Sequence, residues 1–193
     1  MTNFAALRGT GLDAVLYSGL DLGDSIYPDW FEEELWEGSA NVSGDQTIMR
    51  ITMMRTHEEG AHQVYEYLIP GESIMLRNER NDIRIVSLDE FNSLYRPIST
   101  HRAALKSECI EFFVFNRGNV RLGMPKWVSE LLVTGQLQIG LGFNDNTFYS
   151  DDGEYAMSPT SVLAKGYTGD VRYYEPRDFE RLFESFNPYY IPY

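Results

Sequence analysis

Two stretches of this chain repeat each other without a gap, and this repetition constrains the fold more than any other feature of the sequence. Segment 73–95 aligns with segment 161–183, which lies 88 positions later. The aligned segments are identical at Ser73/Ser161, Asp82/Asp170, Arg84/Arg172, Phe91/Phe179 and Leu94/Leu182. Self-similarity at a fixed spacing is typical of a repeated structural unit. We therefore expect a duplicated domain.

A second match, upstream of the first, supports the same interpretation. Segment 28–38 aligns with segment 125–135, and both begin with Pro-x-Trp and end in Gly. The spacing here is 97 positions, so the first copy must hold an insertion, which we place near 39–47. The predicted organisation is a first repeat at 1–98, a linker at 99–108, and a second repeat at 109–193 that ends in an aromatic tail.

Local patterns predict the same set of elements in each copy. Apolar runs at 12–17 and 110–115 predict a largely buried strand, and the Pro-x-Trp segments predict a helix, because proline fits the first helical turn. Period-two stretches at 48–53 and 136–141 predict further strands. We expect a hairpin bending at 80–82 or 168–170, then a short C-terminal helix. The predicted class is α+β, with a small antiparallel sheet or partial barrel formed twice.

Negative charge is concentrated in one part of the chain. The net charge is −13, and nine Asp or Glu residues lie between Arg8 and Arg50 without any Lys or Arg among them. Such a surface repels phosphates, so direct nucleic-acid binding is not expected, whereas a basic protein partner is. The candidate partner-binding residues are Asp21, Asp24, Asp29, Glu33, Glu34 and Glu37. The alternative is that these carboxylates only keep a tyrosine-rich protein soluble.

No pattern in the chain predicts catalysis, a metal site or a cofactor. His57 and His62 are five residues apart, whereas a zinc-binding helix places its histidines four apart. Cys109 is the single cysteine and adjoins an apolar strand, so we expect it to pack rather than react. The chain has no apolar leader and no long apolar run. We expect a non-enzymatic protein of the host-cell cytoplasm that does not enter a membrane.

Short motifs of the first copy resemble a widespread family of small phage and prophage proteins. That family has a Pro-Gly-Asp-x-Ile run, a Gly turn and a closing Phe-x-x-x-Tyr helix. The matching residues here are Pro70, Gly71, Ile74, Phe91, Tyr95 and Pro97, and the second copy keeps Val162, Gly166, Gly169 and Phe179. The resemblance implies a viral origin and a small β-rich fold, with two divergent tandem copies in this chain. It carries over no catalytic residue.

Three functions remain open at this point. The first is an acidic inhibitor that occupies the basic surface of a host defence or nucleic-acid-binding protein, as a DNA mimic of the anti-CRISPR or antirestriction kind would. The second is a protein that binds or sequesters a small ligand such as a nucleotide, with Trp30, Trp36 and Trp127 as stacking residues and Arg77, Arg80, Arg84 and Lys165 as its cations. The third is a virion assembly component that docks through the tail at 186–193.

Overall fold

The computed structural model describes residues 3–19, 27–37, 41–42, 48–57 and 60–186 of the 193. These residues divide into two compact units. The first unit spans residues 12–103, and the second combines residues 3–11 with residues 104–186. None of the helices in these ranges has the length and apolar character needed to cross a membrane.

The first unit is built on a five-stranded sheet with the order β7-β6-β2-β9-β8. Its strands are β2 (Leu12–Leu16), β6 (Ser73–Arg77), β7 (Ile83–Ser87), β8 (Tyr95–Ser99) and β9 (Arg102–Leu105). A three-stranded sheet is formed by β3 (Asn41–Val42), β4 (Met49–His57) and β5 (Gly60–Leu68). The helices are α1 (Asp29–Glu37) and α2 (Leu88–Leu94). Pairing of β2 with β6 and β9, and of β6 with β7, is antiparallel.

The second unit has a five-stranded antiparallel sheet with the order β15-β14-β10-β1-β16. Its strands are β1 (Asn3–Leu7), β10 (Cys109–Val114), β14 (Val162–Lys165), β15 (Val171–Tyr174) and β16 (Phe183–Phe186). A three-stranded sheet consists of β11 (Leu137–Gln138), β12 (Asn146–Ser150) and β13 (Gly153–Met157). The helices are α3 (Arg117–Leu122), α4 (Lys126–Val133) and α5 (Pro176–Leu182), with 3-10 turns at Lys106–Glu108 and Leu141–Phe143.

Each five-stranded sheet buries both of its faces, because successive side chains of a strand point to opposite sides. In the first unit, Val15 packs into a cluster with α1 and the three-stranded sheet, whereas Ala14 packs into a cluster with α2. In the second unit, Phe113 packs toward α4 and Phe112 toward α5 in the same way. Alternation along one central strand therefore creates two apolar layers in each unit.

The helices begin where the sequence supplies a start signal. Pro125 precedes α4, whose side chains Trp127, Val128 and Leu131 are buried at helical spacing. Ser87 caps α2, since its hydroxyl accepts the backbone N–H of Glu90 at 3.1 Å. Pro176 occupies the first turn of α5. Each of these three helices therefore combines a local start signal with an apolar side chain that it buries.

The α+β class is confirmed, and several finer expectations need correction. The sheets are open, so of the two predicted alternatives each unit forms antiparallel sheets and not a partial barrel. The strand predicted at 136–141 is reduced to Leu137–Gln138, because a 3-10 turn with Gly142 at a φ of 70° follows. Trp127, a candidate stacking residue, is instead buried at 7% exposure, whereas Trp30 is half-buried.

The ends of the predicted repeats also differ from the compact units. Segment 99–108, predicted as a linker, holds strand β9 and a 3-10 turn. Segment 3–7, predicted within the first repeat, is a strand of the second unit, where it pairs with β10 and β16. Most of the predicted insertion at 39–47, and the tail beyond residue 186, lie outside the described residues.

Candidate functional site

Helix α1 exposes two of the candidate partner-binding residues on one side. Asp29 and Glu33 are both exposed and are four residues apart, so they share one helical face. Phe31 is two residues from each, faces away from them, and is fully buried among Val15, Tyr17 and other core residues. We call Asp29 and Glu33 the acidic α1 face. The buried phenyl ring anchors the helix while the carboxylates point to solvent.

The other candidate residues are not all placed on this face. Glu34 is half-buried beside Glu33. The side chain of Glu37, and Asp21 and Asp24 entirely, lie outside the residues that the structure describes. Within the described part of the chain, two of the six predicted residues thus form the exposed acidic surface.

A charged cluster lies between α1 and the sheet of the first unit. Arg77 on β6 stands opposite Asp13 on β2 and donates to its carboxylate, with Nη2 to Oδ2 at 2.7 Å. The centre of the guanidinium lies 4.3 Å from the ring centroid of Trp30. A planar cation over an indole ring is an attractive arrangement. Arg77 is therefore engaged within its own unit and is not free to bind an anionic ligand.

The second unit has a cavity of about 530 Å³ beside α4, which we call the α4 cavity. Apolar walls come from the helix and sheets, and polar groups line the rest. The lining residues used below are Trp127, Glu130, Asp151, Asp152, Lys165 and Asp170. Arg172, close to Asp170, also lines the cavity.

The charges lining the α4 cavity do not balance. Asp170 and Arg172 satisfy each other, with Oδ2 and Nε 3.1 Å apart. A hydrogen bond from the Thr168 hydroxyl, and then the charge of Arg172, hold the pKa of Asp170 below its ordinary value. Asp151 and Asp152 are exposed at the β12–β13 turn, and Glu130 is paired with the ammonium of Lys126, 3.5 Å away. The cavity consequently carries an excess of negative charge.

Lys165 is a cation among the mostly acidic residues that line the α4 cavity. It is half-buried on β14 and stands opposite Glu111 of β10, yet it makes no ion pair with any residue that the structure describes. The side chain lies on the same side of the sheet as Leu163, which packs with Trp127. Lys165 thus occupies the position in its sheet that Arg77 occupies in the first unit.

The two Asp-x-Arg pairs that the repeat preserves behave differently. Asp170, directly before β15, forms an ion pair with Arg172 on that strand. In the first unit, Arg84 instead binds Glu90 of α2, and Asp82 accepts from the amide of Asn78 at 2.9 Å. Asp82, Asp170 and Arg172 therefore stabilise the turns of the two hairpins, whereas Arg84 connects β7 to α2, and the Asp82–Arg84 pair itself is not made.

The remaining candidate chemistry finds no assembled site. Among the described residues, no three His, Cys, Asp or Glu side chains are grouped to hold a metal ion. His57 ends β4 and His62 lies within β5, and their side chains are outside what is described. Cys109 is buried at 4% exposure in the β10 strand, as expected for a packing residue.

The α4 cavity was missed by reasoning from the sequence. Trp127 and Lys165 were named above only as candidate residues of a small-ligand binder, and the other residues that line the cavity were not assigned to any site. The signal available in the sequence was the alignment of segments 73–95 and 161–183, in which Arg77 corresponds to Lys165. No family model, curated protein or solved structure matches this chain.

Proposed function

We propose that this chain is a non-enzymatic acidic binding protein that occupies the basic surface of a nucleic-acid-binding host protein and so inhibits it. The proposal rests on the acidic α1 face, where Asp29 and Glu33 project into solvent from a helix anchored by Phe31. The basic residues nearest in sequence to that helix are Arg8 and Arg50, so little positive charge from its own segment screens it.

Electrostatics explain how such a face would select its partner. A protein with a net charge of −13 attracts positively charged surfaces over distances of about a Debye length, roughly 8 Å at physiological salt. Carboxylates on one helical face then meet Lys and Arg residues that otherwise contact phosphates. The main effects are on encounter rate and orientation. An anti-defence inhibitor of this kind also agrees with the phage resemblance and with the proposed tandem duplication.

The similar strand orders of the two five-stranded sheets support the duplication. Central strand β2 is flanked by β6 on one side and β9 on the other, and β10 by β14 and β1. In each unit the hairpin that follows the three-stranded sheet leads into a short helix, α2 or α5. We propose that the second copy completes its sheet with the first strand of the chain instead of a strand that follows β16.

The two alternative functions have less support from the described residues. A nucleotide binder needs free cations, but Arg77 and Arg84 are each paired with a carboxylate, and carboxylates outnumber cations around the α4 cavity. Docking of a virion component through the tail would depend on residues 187–193, which lie outside those described.

The test compares two charge-reversed variants of equal net charge. D29K/E33K reverses the acidic α1 face, and E72K/E79K reverses two exposed carboxylates in turns of the same unit. Each immobilised protein is used to capture proteins from a bacterial lysate at low and high salt, with identification by mass spectrometry. A captured nucleic-acid-binding protein is then assayed for DNA binding in the presence of the wild-type chain.

The expected result is a basic partner that high salt releases, that D29K/E33K fails to capture, and that E72K/E79K captures normally. Stoichiometric wild-type protein should also block its DNA binding. Equal capture by both variants, or a captured protein that still binds DNA, would reject the proposal. Circular dichroism must show both variants folded, which we expect because exposed charges contribute little to stability.

A further inference from the structure

Strands β1 and β9 have closely similar sequences. Segment 3–17 aligns without a gap with segment 101–115, which lies 98 positions later. At the start of these segments, β1 and β9 share the run Ala-Ala-Leu followed by a cation, Arg8 or Lys106. Further along the same alignment, β2 corresponds to β10. Each proposed repeat therefore opens with an Ala-Ala-Leu strand, a short connection and a second, apolar strand.

Neither opening strand lies in the same sheet as the strand that follows it in the chain. β1 is separated from β2 only by residues 8–11, yet it lies in the sheet of the second unit, between β10 and β16. β9 is separated from β10 only by residues 106–108, yet it lies in the sheet of the first unit, between β2 and β8. Each opening strand thus pairs with the second strand of the other repeat. We call the place of β9 the first slot and the place of β1 the second slot.

The strands pair in the same register in the two slots. Ala5 stands opposite Ile110, and its counterpart Ala103 stands opposite Leu12, the counterpart of Ile110. The next pairs correspond in the same way: Phe4 with Glu111, and Arg102 with Asp13. A slip of one residue would turn every side chain of the strand to the opposite face. The shared register therefore points equivalent side chains toward equivalent neighbours.

The two slots are built from equivalent residues. Ala103 packs into an apolar cluster of the first unit and Ala5 into one of the second, and both alanines are fully buried. The other members correspond one to one: Ala14, Ile74, Leu76, Phe91 and Tyr95 in the cluster of Ala103, and Phe112, Val162, Ala164, Phe179 and Phe183 in the cluster of Ala5. A larger side chain at either alanine would have to displace close-packed neighbours. Both slots therefore select a strand with small residues at this position.

The short connections would also allow a closed arrangement, in which each repeat keeps its own opening strand. Residues 8–11 are enough for a hairpin between β1 and β2, and residues 106–108 for one between β9 and β10. Loop length therefore does not decide between the two arrangements. The sheets have the other pairing, since both opening strands are exchanged.

We propose that the two repeats of this chain are a strand-exchanged pair fused into one molecule, in which each slot is the docking site for the opening strand of the other repeat. Exchange of an identical element is a low-cost route by which two copies of a domain associate. The partner that fits either slot is accordingly a second copy of the repeat, here supplied by the same chain. The inference rests on the proposed duplication, and it is independent of the acidic α1 face.

The single cysteine allows the exchange to be tested in the full-length chain. Cys109 stands opposite Ala6 in the exchanged arrangement, whereas a closed repeat of the same register would place it opposite Ala104. Residues opposite each other on antiparallel strands are within the range of a disulfide. On mild oxidation we expect A6C to form a disulfide with Cys109 and to remain a monomer on a non-reducing gel. The matched variant A104C should keep both thiols, as measured by alkylation after unfolding and mass spectrometry.

A second pair of full-length variants gives a readout that does not need a new cysteine. A5V and A103V each add two methyl groups at equivalent buried positions, and the backbone amide signals of Phe91 and Phe179 are followed by NMR. We expect A5V to shift the signal of Phe179 and leave that of Phe91 in place, and A103V to do the reverse. Closed repeats would show the opposite pattern, because each alanine would then pack in its own repeat.

Several outcomes would overturn the inference. These are a disulfide in A104C but not in A6C, a folded A6C that forms no disulfide, or amide shifts in the pattern of closed repeats. A covalent dimer joined through residues 6 and 109 would also overturn it, by assigning the exchange to two separate chains. If A6C does not fold, the amide shifts of A5V and A103V decide the question. Failure of the inhibitor proposal would leave all these results unchanged, since none of them involves a captured partner.

Discussion

Arg77 donates two hydrogen bonds to a single carboxylate oxygen of Asp13, from Nη2 at 2.7 Å and from Nε at 3.0 Å. The two residues lie directly opposite each other on adjacent antiparallel strands. The pair is partly shielded from water, and the face of the guanidinium is covered by Trp30. One arginine therefore connects the sheet of the first unit to helix α1, from which the acidic α1 face projects.

We predict that R77K destabilises the protein by about 1–2 kcal/mol, because lysine lacks the planar guanidinium that lies flat over the indole and donates to Asp13 from two separate nitrogens. Urea unfolding monitored by fluorescence measures this loss. R84K is the matched control, since Arg84 is 57% exposed and an exposed ion pair contributes no more than about 1 kcal/mol. Equal losses in the two variants would contradict the packing described for Arg77.

Ser161 is fully buried, and its hydroxyl oxygen accepts the backbone N–H of Ser158 at 2.9 Å. We predict that S161A costs about 1 kcal/mol of stability, since it removes the acceptor of that partly buried N–H. Ser73 accepts the N–H of Ile69 in the same way, so S73A should act in the same direction. S93A, at an exposed position of α2, should change stability by less than about 0.5 kcal/mol. Thermal unfolding of the three variants distinguishes them.

Asp170 is predicted to make stability depend on pH in the acid range. The hydroxyl of Thr168 and the charge of Arg172 lower its folded-state pKa, so it binds a proton more readily when unfolded. The stabilisation that ionised Asp170 contributes is then fully present above the pKa of the unfolded state. It is lost as the pH falls through the pKa of the folded state. The urea midpoints of wild type and D170N should differ at pH 7. The difference should begin to shrink as the pH falls below about 4. T168V should reduce the same pH dependence; a constant difference would refute this origin.

Strand β1 is predicted to be essential to the second unit alone. It lies between β10 and β16, and Ala5 and Ala6 are fully buried. A chain lacking residues 1–9 should lose the native NMR signal of Trp127 and keep that of Trp30, because the sheet would be left with two unpaired strands. Adding a peptide of residues 1–10 should restore the Trp127 signal. Retention of that signal without the peptide would be inconsistent with the pairing of β1.

Several elements were predictable because their cause is local. Pro125 and the apolar spacing of Trp127, Val128 and Leu131 are enough to predict α4, and the turn residues near Asn81 predict the β6–β7 hairpin. The exposed position of Glu33 likewise follows from helical spacing once Phe31 is assigned to the core. In these cases the decisive interactions lie within a few residues.

Long-range pairing was not predictable in the same way. Nothing in residues 3–7 indicates that they pair with a strand more than 100 residues later, since any strand offers the same backbone donors and acceptors. The α4 cavity is similar, because Trp127 and Lys165 come from separate elements and only packing shows the space between them.

The sequence by itself determined the α+β class, the start of helix α4 and the concentration of acidic residues near α1. Periodicity, proline and charge are properties of neighbouring residues, and they act before the chain is compact. Tertiary structure alone decided that β1 completes the second unit, that Arg77 covers Trp30, and that Trp127 and Lys165 line the same cavity. These features depend on which distant side chains meet and how fully they fill the space between them, and that is settled only when the layers pack.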